Sequence, residues 1–265
     1  MRAESVAGES TPWFWRVSAY WPWLLVAAAW VLVWLIAWTH QQYLLSHDYL
    51  LVESGLPWPA ALLLFLAGWQ IMVAAMMVPS SLLLLPRLLS NSRGQPASLR
   101  EALSFLAGYA AIWTAFAVVA FLGDTIIHLL VAEWLWFARH VWLVGAVTLV
   151  IAGCFQCSPL KASALCRCRT GSQAGQCASD YHEQGWRLGA RHGRACLGSC
   201  WALMLVMFGI GSGGILWMAG LAAVMLVEKA VPGGRWLSPL VGSLLLLLAA
   251  VWITQPGERV LIAGL

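Results

Sequence analysis

The chain has 265 residues, 61% of them hydrophobic and 10% charged, with 18 tryptophans and a formal net charge of +4. Soluble domains are about one-quarter charged, so this composition, with a mean hydropathy of +0.78, excludes a soluble globular domain and equally a disordered or collagen-like chain. Tryptophan suits the boundary between hydrocarbon and headgroups, and the sequence reads as an all-α polytopic membrane helical bundle, a single membrane domain over 1–265.

A bilayer core about 30 Å thick takes roughly 20 apolar residues per helix. Uncharged runs of about that length predict seven transmembrane helices, over 21–38, 58–85, 103–123, 141–157, 196–210, 215–231 and 236–254. The first follows Arg2 and Arg16 as a signal peptide would, but it is long, rich in Trp and without a small-residue cleavage site, so it is expected to be retained. In the second, Pro79 has no N–H for the carbonyl of Ala75, which predicts a bend, with Ser80, Ser81 or water taking that carbonyl. Only Gly211, Ser212, Gly213 and Gly214 separate the fifth and sixth spans, which predicts a tight antiparallel hairpin. Thirteen of the 15 Lys and Arg residues fall on one side of these spans, leaving Arg139 and Arg259 on the other. The positive-inside rule then predicts a cytoplasmic N-terminus and an exported C-terminus. The positive balance is thereby explained by topology, so membrane lipid is the expected surrounding and nucleic acid is not a partner. The connection 158–195, rich in Cys, Gly, Arg and Ser and without apolar periodicity, is predicted to be a cytoplasmic Cys-rich loop.

All seven cysteines, Cys154, Cys157, Cys166, Cys168, Cys177, Cys196 and Cys200, fall within 47 residues. On the reducing side of the membrane this points away from a disulfide framework and towards metal binding or redox chemistry. His192, Cys196, Cys200 and Met204 are each four residues apart. A helical step of four turns 400°, so they form one stripe about 18 Å long. Cys154 and Cys157 share a face at the end of the fourth span. Met76 and Met77 in the second span lie at a depth comparable with Met204, and Glu228, at the end of the sixth, is a candidate ligand, counter-ion or proton acceptor. Thiolate and thioether donors favour copper(I), and thiolate with imidazole also serves zinc. Simpler readings compete: the cysteines and methionines as packing groups, Glu228 with Lys229 as an interfacial ion pair. His40, His47, His128 and His140 read as solvated external histidines, and His182 is open to either role.

Several chemistries are excluded. Cys157 is followed by Ser158 rather than His, which removes c-type haem attachment, and the glycines of 209–214 open no nucleotide motif. The cysteine spacings match no common iron–sulfur run, and neither a Ser-His-Asp set nor an HExxH segment is visible, so no catalytic residue is named.

Four segments carry a resemblance: Ala75-Met76-Met77-Val78-Pro79-Ser80, Pro159-Leu160-Lys161 with Cys168-Arg169, Gly189-Ala190-Arg191-His192-Gly193 leading into Cys196-Leu197-Gly198-Ser199-Cys200-Trp201-Ala202-Leu203-Met204, and Glu228-Lys229. Over about 65–255 the chain resembles the bacterial family of predicted metal-binding integral membrane proteins designated domain of unknown function 2182. The resemblance implies metal binding and a multi-pass place in the bacterial cytoplasmic (inner) membrane, and it adds Cys168 to the ligand set. The chain departs from the family pattern at Ser199, where a cysteine is usual, and at Ala164, with Cys166 nearby instead.

The leading expectation is a soft-metal protein, copper(I) first and zinc second, handling, delivering or transporting the ion at a cytoplasm-facing site, with a metalloenzyme or metallochaperone as partner. Delivery fits better than transport, because the external halves of the spans offer no comparable ligand ladder. The alternatives are a membrane thiol-disulfide oxidoreductase, using Cys154/Cys157 and Cys196/Cys200, and a scaffold subunit of a membrane complex. An i,i+4 cysteine pair on a regular helix closes poorly, which counts against redox chemistry.

Overall fold

The computed structural model describes residues 13–39, 55–82, 99–170, 185–209, 215–231 and 233–254. Among them every regular element is a helix: α1 (Trp13–Trp38), α2 (Trp58–Met76), α3 (Val78–Leu82), α4 (Leu99–Glu133), α5 (Leu135–Arg139), α6 (Trp142–Gln156), α7 (Pro159–Thr170), α8 (Gly185–Gly209), α9 (Ile215–Ala230) and α10 (Leu237–Thr254), the last entered through a 3₁₀ turn at Gly234–Trp236. The expected turn at 211–214, the end of the second span at 83–85, and Cys177, His182, His40 and His47 lie outside the described residues.

Four described segments are long and apolar enough to cross a membrane, Trp21–Trp38, Trp58–Met76, Leu99–Glu133 and Gly234–Thr254. A fifth candidate is the pair α6 and α7, bent by 66° at their junction. Among the described residues α8 and α9 do not join this set, since Arg187, Arg191 and Arg194 load the first half of α8 and α9 has 16 residues. The outer faces are apolar, with Leu63, Val119 and Leu244 about two-thirds exposed, whereas Lys161, Glu228 and Lys229 are buried. That is the reverse of a soluble protein's arrangement.

Three boundaries differ from the sequence expectation, each for a local reason. The second span breaks at Met77, where the N–H bonds the Val73 carbonyl before α3 starts. Pro79 does free the carbonyl of Ala75, but the donor that takes it is Trp30 Nε1 from α1, at 3.0 Å. Ser80 and Ser81 instead donate to the Met77 carbonyl, at 2.8 and 3.4 Å. The third span is longer than 103–123, because α4 continues through Asp124 and His128 to Glu133, with His128 Nδ1 3.4 Å from Asp124 Oδ2. The connection 158–195, expected to be a loop, is helical at both ends, as α7 and the first turns of α8. Ser158 Oγ accepts the N–H of Lys161 at 3.2 Å and Pro159 takes the first helical position, which is how a helix starts without apolar periodicity.

Close helix contact at small residues sets the centre of the bundle. A Cβ on Gly108 of α4 would stand 2.2 Å from the Trp186 carbonyl oxygen, and one on Gly189 of α8 would stand 2.0 Å from that of Phe105. Gly185, Gly189 and Gly193 recur every four residues along the α8 face that meets α4. Glycine on one stripe lets two backbones approach until dispersion and carbonyl contacts hold them. Against this seam α4 buries a column of Phe105, Tyr109, Trp113, Ala117 and Phe121, none more than 1% exposed.

Candidate metal site

The α8 stripe predicted from spacing is a single buried face. His192 is 7% exposed, and Cys196, Cys200 and Met204 are fully buried. The glycine seam brings that face against Tyr109, whose hydroxyl is 2.9 Å from Cys196 Sγ. His192 packs its ring 5.8 Å from Phe105 and 5.9 Å from Tyr109, and its Nε2 lies 3.1 Å from Ser81 Oγ. The broken helix α2–α3 is thus tied to the stripe through one serine.

Two further sulfurs lie near this face. Helix α7 ends over α8, and its buried Cys168 lies beside Cys196, which in turn neighbours Cys200 one turn on. Met77, in the α2–α3 break, is fully buried, and its Sδ stands 3.9 Å from Lys229 Nζ. That ammonium, on the last turn of α9, donates to Cys196 Sγ at 2.9 Å. Among the described residues no three His, Cys, Asp or Glu side chains form a ready metal-holding group. The cation standing among the sulfurs is the lysine.

A second polar cluster lies beside the first. Glu228, fully buried, accepts from Lys161 Nζ at 2.7 Å on Oε2, and from Ser238 Oγ at 2.8 Å and Gln156 Nε2 at 3.1 Å on Oε1. Lys161 Nζ also donates to the Ser199 carbonyl at 2.6 Å, and Arg169 Nη2 donates to the carbonyls of Glu228 and of Val231, the latter at 2.6 Å. One carboxylate therefore joins α6, α7, α9 and α10 and, through Lys161, α8. Both of its oxygens are engaged, and its ionic partner is Lys161 rather than the neighbouring Lys229.

Of the candidates named from sequence, Cys196 and Met77 both contact Lys229 Nζ, and Cys168 and Cys200 are buried beside Cys196. Met204 continues the same α8 face, His192 flanks it, and Glu228 sits in the adjacent cluster. Met76 is buried in the core at 1% exposure. Cys154 and Cys157 stand apart, both exposed at the end of α6, where the Cys157 thiol points at the Pro239 carbonyl 3.8 Å away. Burial also separates the pairs chemically: soft donors kept from water suit a soft ion. Sequence reasoning missed Tyr109, Ser81 and the pairing of Lys161 with Glu228. The four-residue rhythm of Phe105, Tyr109 and Trp113 was the available sign for the first. Lys161 was visible only inside the Pro159-Leu160-Lys161 motif.

Residues 66–253, more than half of the chain, match the family model described as PpoB2: Copper chaperone. That stretch is close to the 65–255 over which the sequence resemblance ran. No curated protein and no solved structure matches the chain.

Proposed function

The chain belongs to the PpoB2 copper chaperone family, and from that premise we propose that it is a multi-pass protein of the bacterial inner membrane that carries copper(I) as cargo. Cys196 and Cys200 are its principal ligands, supported by Cys168 and Met77. Met204 and His192 extend the same face, and delivery to a metalloenzyme is the task. One observation carries the reading: the buried α8 face places Cys196 and Cys200 beside Cys168, and Lys229 Nζ contacts both Cys196 Sγ and Met77 Sδ, all within the bundle. Such an all-sulfur donor set selects copper(I) over harder ions, with zinc the second choice. A thiol-disulfide exchanger needs a thiolate that its partner can reach, which the fully buried Cys196 and Cys200 do not supply; of the two pairs, only the exposed Cys154 and Cys157 are placed for such chemistry.

The seven-span arrangement with a cytoplasmic N-terminus belongs to the same proposal, with the sulfur site on the cytoplasmic side. The α6–α7 pair would then be a span followed by a helix lying against the cytoplasmic surface. A reporter after Leu265 is expected to be active outside and one near Gln173 inside; the opposite pattern at either position overturns this topology. For the cargo, the detergent-solubilised full chain is loaded with copper(I) and its metal content measured. Cys196→Ser/Cys200→Ser is expected to lose most bound copper. Full retention by that variant would mean the stripe is packing.

A further inference from the structure

Two lysines are buried in this bundle, and Glu228 neutralises one of them. Lys229, 5% exposed, faces sulfur: its Nζ lies 2.9 Å from Cys196 Sγ and 3.9 Å from Met77 Sδ. The nearby carboxylate of Glu228 is already engaged by Lys161, Ser238 and Gln156. An ammonium is a strongly hydrated point charge, and taking it out of water among soft, weak acceptors is a poor exchange unless the place calls for a positive charge. The place does so in one other circumstance, when it holds the metal. A copper ion ligated by Cys196 and Met77 would lie between the two sulfurs that Nζ now contacts, so the two cations contest one volume.

We propose, building on the copper(I) reading above, that the Lys229 ammonium is the resting occupant of the copper position, displaced when copper(I) enters and returning when it leaves. The exchange is charge for charge. One monovalent cation replaces another beside Cys196, copper stays in its +1 state, and any further thiol that becomes a ligand gives its proton to solvent water. Lysine suits such movement because the charge rides on four rotatable methylenes. Lys229 lies on the last turn of α9, followed by the exposed Ala230 and Val231, so its stem can swing outward without unfolding the helix. Arg169 holds that helix end in place by capping the carbonyls of Glu228 and Val231. The occupant has a use in delivery: a carrier whose own side chain competes for the site keeps its sulfurs apart when empty and lets copper go more readily.

The test uses the detergent-solubilised full chain. Copper(I) affinity is measured by competition with a chromophoric cuprous chelator, and release by rapid transfer to excess chelator. Lys229→Gln, which keeps much of the side-chain volume and removes the charge, is expected to bind copper(I) at least tenfold more tightly and to release it correspondingly more slowly. Equal or weaker binding by that variant overturns the proposal, because a permanent counter-ion would then be the role of Lys229. A second measurement on the unaltered chain does not depend on the variant folding. Lysine acylation read by mass spectrometry is expected to spare Lys229 in metal-free protein and modify it once copper(I) is bound, with Lys161 spared throughout. Lys229 remaining protected in copper-loaded protein overturns the proposal while leaving thiol-dependent copper binding intact. Absence of any copper binding that depends on Cys196 and Cys200 overturns the parent reading and this one together.

Discussion

The two buried clusters are neighbours in space and built from similar parts, yet they differ in how their charges are met. Around Glu228 a carboxylate is matched by an ammonium at 2.7 Å and two neutral donors, and the network reaches five helices. Around Cys196 an ammonium donates to sulfur, and a phenol hydroxyl meets the same sulfur. The first arrangement is matched in charge: each added or removed charge leaves another stranded in a low dielectric, so it holds the fold. The second is soft and poorly matched, which is the condition for exchanging one cation with another. Adjacent residues, Glu228 and Lys229, thus sit in different clusters, the first in the charge-matched network and the second, on the proposal above, at the copper position.

The largest effect should follow from breaking the matched cluster. Glu228→Gln or Lys161→Met leaves the partner charge buried alone, a change of about 3–5 kcal/mol in related buried pairs. Thermal unfolding in detergent should show either variant strongly destabilised, with the double variant recovering a large part of the loss. If the double variant were as unstable as the worse single one, the pair would not be the structural unit described here.

The glycine seam comes next, because it delivers α8 to both clusters. Gly189→Ala puts a methyl group where the backbone of Phe105 already lies, with a contact of 2.0 Å before relaxation. Overpacking of this kind costs about 1–3 kcal/mol. It should also move Cys196 away from Tyr109, so the variant is expected to expose Cys196 to alkylation. Unchanged stability and unchanged thiol protection would show that the helices separate without disturbing the site.

How far the sequence shows all this depends on the range of the interaction. The α8 stripe was legible because four cysteine, histidine and methionine positions repeat at one helical period, which is local information. The break near Pro79 was legible for the same reason, since a missing N–H acts within one turn. What took the freed carbonyl was not, because Trp30 is 45 residues away and nothing near Ala75 names it. Helix α7 was read as loop for want of an apolar stripe, although Ser158 and Pro159 carried a start signal. Its inner face holds only Ala164 and Leu165 between Lys161, which pairs with Glu228, and Cys168, which lies beside Cys196, too short an apolar stripe to stand out in the sequence. The pairing of Lys161 with Glu228 spans 67 residues and displaced the more obvious sequence neighbour, Lys229.

A smaller effect should separate the phenol from the metal set. Tyr109→Phe removes the hydroxyl 2.9 Å from Cys196 Sγ and leaves the ring packing of Phe105 and His192 intact. A single neutral hydrogen bond contributes about 0.5–1.5 kcal/mol, so stability should fall by no more than that. Copper loading should persist, because sulfur is the better donor. Loss of copper from this variant comparable with that of Cys196→Ser would make the phenol part of the metal site.

The smallest effect is expected at the exposed cysteine pair, and it sharpens the contrast between clusters most directly. Cys154 and Cys157 have the same side chains as Cys196 and Cys200 and a tighter sequence spacing, so composition alone makes them equal candidates. They differ in surroundings: the end of α6 leaves both exposed, and Cys157 Sγ is directed to the Pro239 carbonyl rather than to another sulfur. Exposed substitutions away from special contacts usually stay within about 0.5 kcal/mol, so Cys154→Ser/Cys157→Ser should melt like the unaltered chain. It should also load copper(I) to the same stoichiometry, because the buried sulfurs of α2–α3, α7 and α8 are untouched. A drop of one copper per chain in this variant would establish a second site at the α6 end. A complete loss would mean that copper must pass Cys154 and Cys157 to reach the buried sulfurs, making the exposed pair the entrance to the site.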